Sequence, residues 1–375
     1  TPAFKANARA ALSDPQLQSA LSGLPTGLVA QRTSARARLP EFEALRDIGR
    51  DVRNHALEYL DLYLETYERT ISEESALNAD LEAGGFEVVE TDLGEYIIQN
   101  RRETPSHIIA PAIHLTQEQV EDDFRKLHTH LPAGRILEEP AQLVAEARSV
   151  LREKFISADV GITGANFLIA ETGSSIIVTN EGNGDLTQSL ARVHIVLASI
   201  DKVLPTLEDV TTVLRLLARS ATGQEFTTYA TFSTGPRRPE DPDGPDAYHV
   251  VLLDNGRAEL LGSEFREVLR CIRCGACMNH CPVYNAVGGH AYGWVYPGPI
   301  GAVMTPALIG VKAGGHLPNA STFCGRCEAV CPMKIPLPKL MRHWREAEFE
   351  QGLTPTRYRY GLKTWAWFAK RPRIY

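Results

Sequence analysis

The sequence predicts an α/β body with a helical extension before it and a small cysteine-bearing domain after it. Three observations carry this. Helix-like and strand-like segments alternate across residues 71–260, the signature of α/β architecture. Residues 1–70 instead hold Ala, Leu and Arg in patterns near helical spacing. All seven cysteines lie beyond residue 270, in two short runs separated by a stretch rich in Gly, Pro and aromatic residues. A chain of 375 residues exceeds one ordinary domain, and 43% apolar content supports a real core. The boundaries read as 1–70 for the extension, 71–260 for the α/β domain, 261–350 for the helical cysteine domain and 351–375 for a tail. A formal charge of -7 gives no sign of a nucleic-acid partner.

Residues 1–40 read as one or two short helices joined near residues 23–27. Residues 41–70 read as one long helix through Leu45, Ile48, Leu57, Leu60 and Tyr63, with His55 on its surface. A further helix starts near Ser72, a fitting N-cap, and stops at Gly84-Gly85. Residues 86–90 alternate as a strand, residues 96–99 read as a second, and residues 91–95 form a polar loop between them. Residues 107–111 repeat the strand-to-turn transition. Ligands of open α/β folds sit in loops at strand ends, so Asp92, Glu95, His107 and His114 are candidate site residues. The competing reading for each is a helix cap or a satisfied polar contact.

Residues 116–127 and 140–155 read as helices, the first with Thr116 and Gln119 in capping-box positions. Residues 158–184 alternate short apolar strands with loops at Gly161, Gly164 and Gly173, but without the ordered dinucleotide fingerprint. Glu171 follows a hydrophobic run and precedes a Gly loop. It is a candidate nucleophile or base, or else an acceptor for backbone N–H groups. Then come a buried strand at 194–200, a helix at 207–219, an extended segment at 225–233 and a surface loop at 235–246 carrying Arg237 and Arg238. A strand at 249–253 runs into the turn Asn255-Gly256, and a helix at 264–269 leads to the cysteines.

The first cysteine run is Cys271-Ile-Arg-Cys274-Gly-Ala-Cys277-Met-Asn-His-Cys281-Pro282. The second, after 42 intervening residues, is Cys324-Gly-Arg-Cys327-Glu-Ala-Val-Cys331-Pro332. Two residues between thiolates let a tight turn bring sulfurs onto one face of an iron–sulfur cube, and the fourth Cys of such a run ligates the other cluster. Soft thiolates select iron–sulfur centres or zinc. Crossed pairing gives the first cluster, a 4Fe–4S, the ligands Cys271, Cys274, Cys277 and Cys331. The second receives Cys281, Cys324 and Cys327, and position 321, where a fourth Cys belongs, is Ser321. It is therefore a 3Fe–4S cluster or a 4Fe–4S cube whose fourth corner is held by Ser321, another residue, water or a partner, and the competing reading of Ser321 is a cap for the helix carrying Cys324 and Cys327. His280 and His290 are candidates to tune a cluster or to sit packed at the surface. Residues 337–351 resume helix with Trp344 inward. The tail beyond Gln351 carries six Lys/Arg and no Asp/Glu, with Trp365, Trp367, Phe368 and Tyr375 interleaved, which fits docking on a partner or a membrane surface.

The chain resembles the lactate utilisation protein B family, the iron–sulfur subunit of the bacterial L-lactate oxidation complex. The likeness rests on Thr91-Asp-Leu-Gly-Glu-Tyr-Ile-Ile-Gln99, Pro105-Ser-His-Ile-Ile-Ala-Pro-Ala-Ile-His114 and Ala158-Asp-Val-Gly-Ile-Thr-Gly-Ala-Asn166. Ala170-Glu-Thr-Gly173, Thr179-Asn-Glu-Gly182, Arg219-Ser-Ala-Thr-Gly223, Thr234-Gly-Pro-Arg-Arg238, the first cysteine run and residues 292–301 extend it. The resemblance implies a lactate-utilisation domain similar to sugar isomerases and CoA transferases, followed by a helical two-cluster ferredoxin domain. It implies partners too: a cysteine-rich subunit and one carrying only the lactate-utilisation domain. Relatives carry a few dozen more residues where residues 70 and 71 abut here, which implies a further segment at that point.

The expected function is electron transfer through two iron–sulfur clusters in a complex that oxidises lactate to pyruvate, in the cytoplasm or at the inner face of the membrane. Reduced thiols fit that compartment, no run near the start resembles a signal peptide, and no apolar stretch approaches the ~20 residues that span a bilayer. Two rivals remain: turnover of a small acid in the α/β domain at Glu171 or the Asp92, Glu95 and His107 group, and a scaffold with structural clusters.

Overall fold

Three helices open the chain: α1 (Pro2–Ser13), α2 (Pro15–Ser22) and α3 (Ala30–Ala37), with a π turn at Pro25–Val29 before the third. The computed structural model describes residues 2–64 and 77–371. The extension has more helices than expected because Asp14 starts a new one directly after α1. Its carboxylate accepts the N–H groups of Gln16 and Leu17, and Pro15 occupies a first-turn position where its missing N–H costs nothing. The long helix follows as α4 (Phe42–Leu64). Leu45 and Leu57 are buried on it, whereas Ile48 and His55 face outward. Its expected continuation to Thr70, the Ser72 cap and the extra segment between residues 70 and 71 fall outside the described residues. Helix α5 (Leu77–Ala83) stops at Gly84-Gly85, where Gly85 takes φ +88°.

The next segments differ from the sequence expectation. Residues 86–90 lie extended but belong to no strand. The Gln99 side chain bonds them instead, its amide donating to the Val88 carbonyl at 2.8 Å and its oxygen accepting the Glu90 N–H at 2.9 Å. Residues 96–99 are helical, inside α6 (Leu93–Arg101). Asp92 caps that helix by accepting the Gly94 N–H, and Arg102 ends it in the left-handed region. Tyr96, Ile97 and Ile98 are buried in a row, which in sequence mimics a strand covered on both faces. Residues 107–111 form turns closed by the His107 ring, whose Nδ1 accepts the N–H groups of Ile109 and Ala110. Helix α7 (Gln117–Leu127) has the Thr116–Gln119 capping box, and α8 (Pro140–Ser157) follows.

Seven strands and two helices build the α/β body. In chain order they are β1 (Val160–Gly164), β2 (Phe167–Ile169), β3 (Ser174–Thr179), α9 (Asn183–Leu190), β4 (Val193–Ser199), β5 (Val203–Leu204), α10 (Leu207–Ala221), β6 (Tyr229–Ser233) and β7 (Ala247–Leu253). One sheet is parallel with order β1-β4-β7, and the other is mixed with order β5-β2-β3-β6. At Gly161 a Cβ would lie 2.0 Å from the Thr187 carbonyl oxygen, so the glycine is what lets α9 press onto β1. The extended segment at 225–233 becomes strand only from Tyr229. Asn255 and Gly256 both take positive φ, but they turn the chain into α11 (Arg257–Leu261) rather than into a hairpin.

The rest is helical. A 3-10 turn at Arg266–Arg270, in place of the expected α-helix, enters the cysteines. Then come α12 (Ala276–Asn279), α13 (Pro282–Val287), α14 (Gly298–Ile309), α15 (Val311–Gly314), α16 (His316–Asn319), α17 (Arg326–Ala329), α18 (Leu337–Glu350) and α19 (Thr356–Ala369). Trp344 on α18 stacks on Phe265 at 3.8 Å and donates its indole N–H to the Val303 carbonyl. One large apolar core joins the helical extension, the mixed sheet and the cysteine domain. It runs from Leu21, Phe42 and Leu57 through Phe167, Ile169, Ile176 and Leu216 to Cys274, Cys277, Cys327 and Cys331. Tyr96, Phe124, Leu143 and Leu151 of α6 to α8 form a separate cluster.

Candidate metal centre

The two cysteine runs are one structure built twice, at an offset of 50 residues. Gly275 and Gly325 each follow a cysteine and take φ +66° and +77°, as N-caps of the short helices α12 and α17. The residue before each of those cysteines is also left-handed, Arg273 at φ 59° and Phe323 at φ 54°. Left-handed residues on both sides of the cysteine curl the backbone around it into a tight turn. The hydrogen bonds repeat as well. Gly275 O accepts from Met278 and Asn279, and Gly325 O accepts from Glu328 and Ala329. The N–H of Cys281 reaches Met278 O, as that of Cys331 reaches Glu328 O.

This geometry sorts the thiols into two groups. Cys271, Cys274, Cys277 and Cys331 line one cavity, walled by Ile108, Ile300, Met333, Ile335 and Leu337. Cys274, Cys277, Cys327 and Cys331 are buried, Cys271 and Cys281 are half-buried, and Cys324 is exposed. Burial pushes the Cys277 thiol well above its ordinary range, and Cys271, Cys274 and Cys331 add to the effect. Burial, then Cys274, pushes Cys331 up to about 12. Burial, then Cys281, does the same for Cys327, also to about 12. Thiols crowded in this way lose their protons together to solvent only when a cation binds the thiolates, which is the chemistry of a metal–sulfur site.

Cations from elsewhere in the chain hold these loops. On α3, Arg32 donates to the Cys274 carbonyl at 3.2 Å and to Ala221 O, and Arg36 donates to Val330 O at 2.8 Å. On α4, Arg46 donates to Cys331 O at 2.7 Å and Arg53 to Leu269 O at 2.7 Å. Arg273 and Arg257 converge on the fully buried Asp201 at 3.3 and 3.0 Å. Burial opposes ionisation of Asp201, but the two guanidiniums hold its carboxyl well below the usual carboxylate range. Lys202 is pushed down to about 8, by desolvation first and then by Arg273. Sequence reasoning missed these arginines. A signal was present, since Arg46 and Arg53 sit two helical turns apart on the stripe that buries Phe42, Leu45, Ala56 and Leu57.

The candidates of the α/β body are dispersed. Glu171 is exposed and its carboxylate accepts the Leu207 N–H at 3.3 Å, at the start of α10. His107 is buried beneath the first cysteine run, next to Gly275 and 2.6 Å from the Asn279 amide, and burial pushes it down to about 4. Asp92 and Glu95 do come together at the start of α6, with the Glu181 carboxylate on the Leu93 N–H. They stand beside a cleft of about 540 Å³ lined by Thr91, Leu93, Arg148, Arg152, Phe155 and Glu181 among others. Burial, then the Asp92 carboxyl, pushes Glu95 up to about 9. Between its ordinary value and 9 the folded chain therefore keeps a proton that the unfolded chain loses, so stability falls as pH rises through that window. Glu95→Gln removes this slope. Its urea midpoint should match the parent near pH 5 and exceed it near pH 8, and equal pH slopes for the two proteins would refute the assignment.

His114, the fourth loop candidate, joins neither group. Its Nδ1 faces Ser106 Oγ at 2.8 Å and its Nε2 faces Glu103 at 2.8 Å. The His290 ring packs edge-on against it at 4.3 Å and bonds the Thr104 carbonyl, and His280 bonds Ala276 O. Arg237 pairs with Asp246 and the Arg238 N–H bonds Asp241, so the 235–246 loop closes on itself. The tail helix α19 has no buried residue, and Tyr360, Trp365 and Trp367 are 66%, 58% and 49% exposed. Among the described residues no helix is long and apolar enough to cross a membrane.

Two family models match the chain: the LUD domain over residues 50–253 and the 4Fe-4S dicluster domain over residues 267–335. The second establishes a region of two iron–sulfur clusters. Lactate utilization protein B of Bacillus licheniformis is 39% identical over 416 aligned residues, covering 100% of this chain and 86% of that protein. Its namesake from a Geobacillus species is 40% identical over 400 residues, covering 96% and 83%. The Bacillus subtilis protein of that name is 39% identical over 416, covering 100% and 86%. An alignment of 416 positions is longer than this chain of 375, so those relatives carry residues without counterpart here.

Proposed function

Since the chain belongs to the lactate utilization protein B family, we propose that it is the iron–sulfur electron-transfer subunit of a complex oxidising L-lactate to pyruvate. It is a subunit of a larger oxidoreductase rather than a complete enzyme. The observation that carries this reading is the grouping of the thiols across two runs, four of them around one apolar cavity. Cys271, Cys274, Cys277 and Cys331 hold a 4Fe–4S cluster; Cys281, Cys324 and Cys327 hold a second cluster, 4Fe–4S or 3Fe–4S. When bound, the clusters supply one-electron storage at potentials set by ligands, charge and solvent access. The chain supplies the rest. Ile300, Met333, Ile335 and Leu337 keep water off the first site. Arg273 and Lys202 place positive charge near Cys271, and the N–H of Arg273 donates to its Sγ at 3.4 Å.

The partners in this reading are a cysteine-rich subunit and a second lactate-utilisation-domain subunit. The docking element is the tail helix α19, whose exposed aromatics and lack of acidic residues also suit contact with the inner face of a membrane. The location proposed is the cytoplasm. The test is anaerobic purification, iron counting and electron paramagnetic resonance, then reoxidation with and without the partner subunits. Two reducible iron signals and reoxidation that needs the partners, and fails when residues 352–375 are removed, are expected. Zinc without iron would sink the reading, and clusters that never reduce would leave a scaffold. The cleft beside Asp92 and Glu95, lined also by Arg148 and Arg152, favours one rival, entry of a small acid into the α/β body. Lactate turnover by the isolated protein with an artificial acceptor would establish that instead.

A further inference from the structure

We infer that Ser321 is the fourth protein ligand of the second cluster, bound through its deprotonated Oγ; the inference rests on the two-cluster reading above. The repeat carries it. At an offset of 50 residues Ser321 occupies the place of Cys271, the first thiolate of the complete site. The correspondence reaches the atoms. Cys271 Sγ accepts the N–H of Arg273 at 3.4 Å, and Ser321 Oγ accepts the N–H of Phe323 at 3.2 Å. In both cases the donor is the first of the two left-handed residues, at φ 59° and 54°. The same tight turn therefore presents a side-chain donor atom at the same corner, sulfur in one copy and oxygen in the other.

The expected alternative for Ser321, capping the helix with Cys324 and Cys327, does not hold. That helix is α17, its N-cap is Gly325, and no side chain caps it. Ser321 is instead held from behind. Arg345 donates to the Ser321 carbonyl at 3.0 Å and to Pro318 O at 2.8 Å, while its guanidinium lies 4.1 Å from the Phe323 ring. The turn that aims Oγ is thus fixed on both sides. A hydroxyl in this place can bind iron as an alkoxide: the Oγ–H bond breaks, an O–Fe bond forms, the proton leaves to solvent and no electron moves. Nearby positive charge favours the anionic form, and Arg345 is the cation packed against this turn.

The structure therefore assigns a complete cube to the second site, with three sulfur corners and one oxygen corner. The experiment compares the anaerobically purified full chain with Ser321→Ala and Ser321→Cys, by iron content and electron paramagnetic resonance of the oxidised and reduced states. The parent should carry about eight irons and no three-iron signal. Ser321→Ala should fall by about one iron and show a three-iron signal when oxidised, with the first cluster's signal unchanged. Ser321→Cys should restore the cube and move the second cluster's potential, which a bystander side chain would not do. A Ser321→Ala protein with parental iron and spectrum would overturn the inference, as would a parent that already shows the three-iron signal. Loss of both clusters' iron in the parent would instead defeat the underlying two-cluster reading.

Discussion

Replacing Cys331 with alanine is expected to remove the same iron–sulfur signal that replacing Cys274 removes, although the two residues stand in different runs. Cys331 lies in the second run but lines the cavity of Cys271, Cys274 and Cys277. Each single variant should lose about half of the bound iron. The double variant Cys274→Ala/Cys331→Ala should lose no more than either alone, because both remove one site. Cys324→Ala should remove the other signal, and combined with Cys331→Ala should leave almost none. Additive losses for Cys274 and Cys331 would mean that each run holds its own cluster, and crossed pairing would be wrong. The thermal midpoint should fall in every variant that loses iron, since a group bound only by the folded chain stabilises it.

The second large effect belongs to Asp201. This carboxylate is fully buried and faces the guanidiniums of Arg257 and Arg273 at 3.0 and 3.3 Å. Asp201→Asn should therefore cost roughly 3–5 kcal/mol, the usual range for breaking a buried ion pair by removing one partner. The sign with pH follows from the depressed carboxyl. Its contribution is present above the unfolded value of about 3.9 and is lost as pH falls through the folded value, so Asn should flatten the acid limb. Urea midpoints of both proteins from pH 7 down to 3 read this out. A midpoint for Asp201→Asn equal to the parent at pH 7 would show that the guanidiniums find other partners.

Much of this was legible in the sequence, and the failures have identifiable causes. The long helix α4, the capping box of α7, the strands between residues 160 and 253 and the two cysteine runs announce themselves by spacing, caps and Gly placement. Residues 96–98 read as a strand because a short buried helix at a core edge presents the same apolar run, whereas the helix-cap reading of Asp92 holds, since it is the N-cap of that helix. Residues 86–90 look like a strand but lack a neighbour; Gln99 provides the bonds a partner strand would have made. At the site, spacing identified the thiols, but not what surrounds them. The arginines that hold the loops come from helices more than 200 residues earlier in the chain, and only the folded structure brings Arg32 to Cys274 and Arg46 to Cys331. His107 was grouped with Glu95 by proximity in sequence, and the turn at residues 107–111 sends it to the other side.

The core shared by the mixed sheet and the cysteine loops bears on how the protein is made. The buried cysteines share one apolar interior with Phe167, Ile169 and Ile176 of the mixed sheet and Leu57 of α4. Loading of the metal centre is then expected to stabilise the mixed sheet and α4 as well as the cysteine loops. Chains that fail to acquire their inorganic sulfur and iron are destabilised throughout, in the sheet as well as in the loops. Such chains populate open forms more often and are the ones proteases remove. The fold is thus expected to tie the lifetime of each chain to its cofactor, with iron-poor chains degraded faster than loaded ones.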